Sequence, residues 1–445
     1  MSAQHWSRRV ETALRDPVSR DWAIVTAGSV ARLGVGFVSS ILIARALGPA
    51  DFGIFAILGA VGNIVGAVAD FGLTDAAVKR IASTWPDQQD VSRVRAGTFF
   101  WLRLIVTSLV VLLGLPIVML IPSTFLPRSD ARGLLLLALV GVASTGLSGT
   151  VSGILQATKH FGRLSIVGLT NAVLTAVLAI ILIVIGRLNL VSALVVLGIG
   201  TSLVSFVVGV RLLPEVRFLD LPDWPTLRAE SGALVTLGRW LGISNVFAMV
   251  TAQLDVILLG RWSAPSVVGT YALALNLASK VDVVNGSLYT VLLSTASALE
   301  GAGAVSRYVR RGLIRSALIS LALLALIPLI RPIVELVYGP AYLPAVPLFQ
   351  LLLGVVIFDS FTLPIVLLTY HYNRPRLLAG ADGLRAASLT ATATVLIPRI
   401  GPVGAVAAKL VAKLTGAALT AILLARQRHG DNGTSPQAPL FQRRG

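Results

Sequence analysis

The chain has 445 residues, of which 55% are hydrophobic and only 13% charged, about half the charged share of an ordinary soluble domain. Its 37 Lys and Arg against 20 Asp and Glu leave a net charge of +17, and its mean hydropathy is +0.84. These totals exclude a soluble globular protein, a disordered chain and a disulfide-stapled secreted domain; the absence of Cys is itself compatible with either redox compartment. About 245 apolar residues suffice for about twelve membrane spans of ~20 residues each. The cations are scattered among apolar runs rather than gathered on one element, which reads as membrane topology and not as a nucleic-acid surface.

Residues 1–20 are polar and lack a signal-peptide pattern. Trp6, Val10, Leu14 and Val18 recur every four residues with Arg8, Arg9 and Arg15 between them, which suits either a short helix lying on the membrane surface or a disordered leader. Twelve apolar intervals follow, at 21–44, 51–74, 96–121, 133–157, 162–185, 190–210, 232–259, 266–297, 312–330, 346–370, 376–397 and 402–425. The polar stretch from Arg426, with Gly, Asn, Ser and Pro, reads as a disordered tail. The loops are too short to fold as a catalytic domain. An even span count puts both termini on one side. With that side cytoplasmic, 23 cations fall in cytoplasmic segments, 7 in the opposite loops and 7 within spans, the asymmetry expected of a multi-pass protein of the cytoplasmic (inner) membrane.

An internal repeat divides the chain. RALGPADFGIFA from Arg45 lies on RWSAPSVVGTYA from Arg261 at an offset of 216, matching Arg45/Arg261, Pro49/Pro265, Gly53/Gly269 and Ala56/Ala272, with Phe55 opposite Tyr271. HFGRL from His160 meets NRPRL from Asn373 at an offset of 213. Both matches fall at equivalent topological places. They predict a duplicated six-helix unit whose halves share one orientation, related by an axis along the membrane normal. The expected organisation is a cytoplasmic segment 1–20, an N-terminal six-helix lobe 21–213, a cytoplasmic linker 214–231, a C-terminal six-helix lobe 232–425 and a tail 426–445.

ILIARALGPADFGIFA and VADFGLTDAAVKRIA, within Arg32 to Ala82, resemble the first helical hairpin of the polysaccharide-biosynthesis (Wzx-like) flippases of the multidrug/oligosaccharidyl-lipid/polysaccharide exporter superfamily. QLDVILLGRWSAPSVVGTYALA is similar to the second-half signature of that family. The resemblance implies an all-α polytopic membrane protein, with twelve transmembrane helices in two six-helix lobes around a cationic cavity. It implies alternating access that moves a polyprenyl-diphosphate-linked oligosaccharide from the inner to the outer leaflet. Glycosyltransferases and a polymerase of the same biosynthesis are the expected partners, together with membrane lipids and without nucleic acid. A cation-coupled multidrug exporter of the same fold is the rival reading, against which stand the 7% aromatic content and a deepest charge that is an arginine. A membrane transferase would want a large extracytoplasmic loop bearing acids or His, and a scaffold would not need charges within its spans.

An ionisable side chain at mid-membrane is costly unless paired or hydrated, which makes it a functional candidate. Arg32 stands near the middle of the first span, too deep to snorkel easily. Lys280, central in span eight, is a candidate for substrate contact or for an internal salt bridge. Arg103 and Arg239 lie about two turns from a helix end, where snorkelling is the default; Arg239 gains weight because the resemblance places span seven beside the cavity. The expected substrate-binding set is therefore Arg32, Lys280 and Arg239. Asp70, Asp255 and Asp282 are gate or ion-coupling candidates, with hydrogen bonding of hairpin turns the alternative for the first two. Lys409 and Lys413 share a helix face and need a nearby counter-charge, for which Asp359 is the obvious candidate, and Arg385 follows Asp382 by one turn. The four His are too scattered for a metal cluster, and neither a P-loop nor a catalytic triad stands in a suitable context. No cofactor is expected.

Overall fold

Hydrocarbon offers no partner for backbone N–H and C=O groups, so each spanning segment must satisfy its own, which it does as a helix. The computed structural model describes residues 17–120, 130–297, 302–368 and 375–430. Every predicted interval has a helix over it, and no strand occurs among the described residues. Helix α1, Pro17–Asp70, breaks at Gly48, whose φ of 70° suits only a residue without Cβ, and Pro49 opens its second arm. There follow α2 (Leu73–Ala82), α3 (Gln89–Leu120), α4 (Ala131–Ala157) and α5 (Phe161–Val184). Helix α6 (Leu190–Arg211) contains a π-helical stretch over Ala193–Gly200. The second half holds α7 (Trp224–Trp262), α8 (Pro265–Ser297), α9 (Ala302–Leu324), α10 (Ile327–Val337) and α11 (Ala345–Val366). Helix α12, Pro375–Gly430, breaks at Ile400 and Gly401 before Pro402, again a Gly-Pro step with positive φ.

Among the described residues, nine helices are long and apolar enough to cross a membrane, or ten if the bent pair α9–α10 is one span. The difference from the expected twelve lies in α1 and α12, each of which covers two predicted intervals joined at its Gly-Pro break. Other boundaries move by up to about three turns, the largest being the start of α9 at Ala302. Asp223 caps α7, whose helix begins at Trp224 inside the expected linker, and α12 runs to Gly430, past the expected start of the tail. The amphipathic pattern of residues 6–14 and the repeat residue Asn373 lie outside the described residues.

The repeat becomes visible at the end of the bundle that holds Gly48. There α1 and α8 cross at Gly53 and Gly269. A Cβ built on Gly53 would stand 2.8 Å from the Gly269 amide nitrogen, and one on Gly269 would stand 3.1 Å from that of Gly53. Each glycine also abuts the proline carbonyl of the other helix, Gly53 that of Pro265 and Gly269 that of Pro49. The contact is reciprocal, as a two-fold between the matched segments requires. Around it the largest core cluster joins both halves, through Ile54, Leu58, Leu259, Tyr271, Ala405 and Ala408. Tyr342 adds a hydrogen bond of 2.7 Å to the Ala44 carbonyl. At the opposite, arginine-rich end the turn after α1 packs against α7. A Cβ on Gly238 would come within 2.7 Å of the Gly72 carbonyl oxygen. Close helix approach through small residues is how spans associate where lipid is as apolar as the side chains. Leu112, Ile117 and Leu318, by contrast, are exposed, as lipid-facing residues should be.

The segment between the halves is stapled to the arginine-rich end. Val216 and Phe218 are buried, Arg163 pairs with Glu215, and Arg163 donates to the Leu212 carbonyl at 2.8 Å. Arg93 Nε donates to the Glu215 carbonyl at 3.0 Å, and His160 Nε2 lies 3.6 Å from the Glu215 carboxylate. Arg80 reaches across to Glu230 of α7 at 2.6 Å. Burial and the Arg163 charge lower the pKa of His160 below 6.5, against a smaller opposing pull from Glu215. Burial raises Glu215, but its backbone hydrogen bond and Arg163 outweigh that and hold it below the ordinary carboxylate value.

Two outcomes are expected. Replacing Gly269 by Val forces the α1–α8 crossing apart and costs about 1–3 kcal/mol, lowering the melting temperature in detergent; Gly59→Ala, where an added Cβ meets nothing within 4 Å, leaves it unchanged. Acid weakens the staple. The unfolded state takes up the His160 proton first, so its contribution is full above about 6.5 and falls as pH drops through the lower folded value; Glu215 follows below about 4.5. Hydrogen exchange of residues 212–223, corrected for intrinsic rates, is therefore faster at pH 5.5 than at pH 7.5, and His160→Gln flattens that difference.

Candidate functional site

Seven cations lie beyond the first turn of the predicted spans: Arg32, Arg103, Arg239, Lys280, Arg385, Lys409 and Lys413. Four of them meet a carboxylate. Arg103 is buried on α3 and pairs with Asp70, which also accepts from Thr74 at 2.5 Å; the expected snorkelling does not occur, because a guanidinium facing α2 needs a counter-charge there. Arg385 donates to Asp382 at 3.1 Å, and Ser244 of α7 donates to the same carboxylate at 2.5 Å. Lys413 pairs with Asp359 as expected. Lys409 does not share that partner. Its ammonium lies 3.0 Å from Asp255, donates to the Ala252 carbonyl at 3.0 Å, and so takes a different carboxylate one turn away. Asp255 is fully buried and accepts from the Tyr271 hydroxyl as well.

The other three cations, Arg32, Lys280 and Arg239, have no hydrogen bond or ion pair to any described residue. Arg239 is exposed and lies 5.9 Å from the ring centre of Trp240, within cation–π range. Arg32 is exposed into a cavity of about 480 Å³. Its guanidinium rests beside Gly168 of α5, where an added Cβ would stand 3.3 Å from the side chain. Both arms of α1, α5, α7 and α8 supply the walls, so the cavity lies between the two halves of the chain. Arg32 is 16 residues from the break at Gly48 and Asn276 is 11 residues from the start of α8, about 24 and 16 Å along their helices. Both residues therefore lie well inside their helices, away from the ends.

Its polar lining consists of Arg32, Ser39, Ser40 and Thr175 with four carboxamides, Asn63, Asn171, Gln253 and Asn276. Asp and Glu are absent from the lining among the described residues. Neither Lys280 nor Arg239 lines it, although Lys280 continues the face of Asn276 one helical turn further on. The gate candidates are likewise separate from it and from one another. Asp70 belongs to the Arg103 network and Asp255 to that of Lys409, and Asp282 accepts from Asn285 at 2.8 Å in a third. Asn63, Asn171 and Gln253 were not anticipated from the sequence. Their signal is present there, because an uncharged carboxamide in the middle of an apolar run is itself costly in hydrocarbon.

Helix pairs broken at Gly-Pro steps, a reciprocal crossing of matched segments and a central cavity with polar lining residues define a multi-pass membrane protein with the fold of the multidrug/oligosaccharidyl-lipid/polysaccharide exporters. An inward-facing multidrug resistance MATE family transporter of the MOP superfamily superposes with a TM-score of 0.66 at 16% identity, over 92% of this chain and 99% of that one. The lipid II flippase MurJ in an inward closed conformation gives 0.69 at 14% identity, over 90% and 87%. At these identities the likeness is one of fold. No curated protein matches the chain. The family model described as polysaccharide biosynthesis protein matches residues 42–347, and the chain belongs to that family. The two structural neighbours are named as a multidrug resistance transporter and a lipid II flippase.

The burial of the two lysine pairs separates their energetic roles. Lys409 and Asp255 expose 13% and 0% of their side chains, against 35% and 26% for Lys413 and Asp359. Lys409→Met strands a buried carboxylate at a cost of about 3–5 kcal/mol, and adding Asp255→Asn recovers most of it. Lys413→Met costs less. Melting temperatures of the purified variants in detergent check the order; equal melting of Lys409→Met and the unmodified protein would show that the pair contributes nothing.

Proposed function

We propose that the protein is a flippase that carries a polyprenyl-diphosphate-linked oligosaccharide from the cytoplasmic to the outer leaflet of the inner membrane, for cell-surface polysaccharide biosynthesis. The observation that carries this reading is Arg32. It is a guanidinium free of any described counter-ion in a cavity between the two halves of the chain, while four other intramembrane cations are neutralised by carboxylates. A guanidinium binds phosphate oxygens through paired charge-assisted hydrogen bonds. Lys280, one turn beyond Asn276, and Arg239 near the arginine-rich end would receive the diphosphate on its way in or out. The polyprenyl tail remains in lipid between the halves.

The arginine-rich end, with both termini, is assigned to the cytoplasm by the excess of positive charge in its loops. Residues 21–213 and 232–425 act as two lobes that rock about the cavity, joined by the stapled linker 214–231. Glycosyltransferases on the cytoplasmic face would supply the substrate and a polymerase on the outer face would consume it. A drug-cation exporter would need a carboxylate in the cavity, and none lines it among the described residues.

In proteoliposomes loaded with a polyprenyl-diphosphate-linked oligosaccharide, Arg32→Ala is expected to lower translocation by roughly ten- to a hundredfold, the equivalent of about 1.5–3 kcal/mol of charge-assisted hydrogen bonding. Arg32→Lys retains part of it. The variant should insert and melt as the unmodified protein does. Translocation at the unmodified rate by a folded Arg32→Ala protein eliminates the assigned role.

A further inference from the structure

The carboxamides of Asn63, Asn171, Gln253 and Asn276 come from four different helical segments and meet in one cavity. None of the four side chains has a hydrogen-bond partner among the described residues, and the Asn276 Oδ1 atom is buried without one. A buried acceptor left unsatisfied is costly, so such groups persist where a ligand or water completes them. Their neighbours in the spans behave differently. Asn285 donates to Asp282 and to the Val356 carbonyl, and Asn245 donates to Asp75, so the structural Asn residues are consumed while the cavity ones are not. Two of the lining hydroxyls are also spent, Thr175 on the Asn171 carbonyl and Ser39 on the Val35 carbonyl.

A carboxamide presents two donors and an acceptor at one site. That matches a sugar hydroxyl, which both gives and receives, and it matches an acetamido group, which has the same atoms. Phe52 and Phe55 also line the cavity and add apolar surface that the C–H side of a pyranose ring can meet. Arg32 is the one charged residue in the lining among the described residues, with Lys280 outside it, and on the function proposed above Arg32 is taken by the carrier diphosphate. A carboxylate on the adjoining sugar would then lie in the cavity without a counter-charge, which is strongly unfavourable. A volume of about 480 Å³ falls in the range of small-molecule sites, ~300–1,000 Å³, and takes the inner part of a head group rather than a long polymer.

We infer that Asn63, Asn171, Gln253 and Asn276 form a subsite for the uncharged sugar next to the diphosphate, and that they select neutral over acidic sugars at that position. The inference rests on the flippase reading and adds a specificity to it. The test uses the full chain in nanodiscs with three probes: farnesyl diphosphate, the same carrier bearing N-acetylglucosamine, and the same carrier bearing glucuronic acid. The unmodified protein should bind the N-acetylglucosamine carrier at least tenfold more tightly than the glucuronic acid carrier. Asn63→Ala/Gln253→Ala and, separately, Asn276→Leu should each weaken the N-acetylglucosamine carrier by about tenfold or more while leaving farnesyl diphosphate unchanged. Retained diphosphate binding also shows that each variant is folded. Equal loss for the bare and glycosylated carriers, no loss for either, or equal affinity of the unmodified protein for the two sugars overturns the subsite. Failure of the unmodified protein to bind any diphosphate overturns the flippase reading first, and the subsite with it.

Discussion

A charge placed in hydrocarbon must be compensated, and the manner of compensation divides this molecule into what is fixed and what is free. Asp70 with Arg103 ties α1 to α3, Asp255 with Lys409 ties α7 to α12, and Asp359 with Lys413 ties α11 to α12. Asp382 with Arg385 lies within α12, and the Ser244 hydroxyl fastens it to α7. Each of these deep pairs lies within one half of the chain. None bridges the two halves.

Contacts between the halves are of another kind. At one end Gly53 and Gly269 let two backbones touch, and at the other the turn at Gly72 meets Gly238. These contacts are uncharged and shape-dependent, so they can part without exposing a charge to lipid. Polar links across the halves, Arg80 with Glu230 and Asn245 with Asp75, gather at the arginine-rich end, where water can replace them. The Tyr342 bond to the Ala44 carbonyl is the corresponding link at the other end. On the proposed function, two internally ion-paired bodies that meet through glycine contacts and an uncharged core would suit lobes that rock, each rigid within itself and neither needing to break a deep ion pair to move.

The fold was legible because its signals are local. Gly48-Pro49 and Gly401-Pro402 mark the helix breaks, and Pro265 opens the helix that repeats Pro49, all readable as a tight turn before a residue that can only begin a helix. The repeat could be seen as Gly53/Gly269 in the sequence, but the reason for it could not, because the two glycines serve each other across 216 positions. Charge partners were legible where they are neighbours along a helix, and once where a lone acid stood central in another span, as Asp359 does for Lys413. Arg385 follows Asp382 by one turn and was readable; Lys409 finds Asp255 across more than 150 residues, and Arg103 finds Asp70 across a hairpin, both set by helix rotation that periodicity in uniformly apolar segments does not encode. The site was half legible for the same reason. Arg32 stood out as a charge, whereas Asn63, Asn171 and Gln253 became a set only when three helices turned them toward one cavity.

Under the proposed function, the same division accounts for the energetics of a cycle without ATP. The four paired cations are neutral as dipoles in either arrangement of the halves, so the membrane potential exerts little net force on them. Arg32 is unpaired, and its charge makes the empty site cationic. A diphosphate ester with about two negative charges reverses that sign on binding. An interior-negative potential of 100 mV then favours outward movement of the loaded site by ~2.3 kcal/mol per net charge, and favours return of the empty, positive site by the same amount. Both strokes run downhill only while the cavity holds one uncompensated cation. A carboxylate beside Arg32 would abolish the drive on the return stroke, and a second free cation would cancel it on the loaded one. On this account Lys280 and Arg239, which also lack a carboxylate partner among the described residues, preserve the drive only by standing outside the cavity lining, while Arg103, Arg385, Lys409 and Lys413 are held neutral by their pairs.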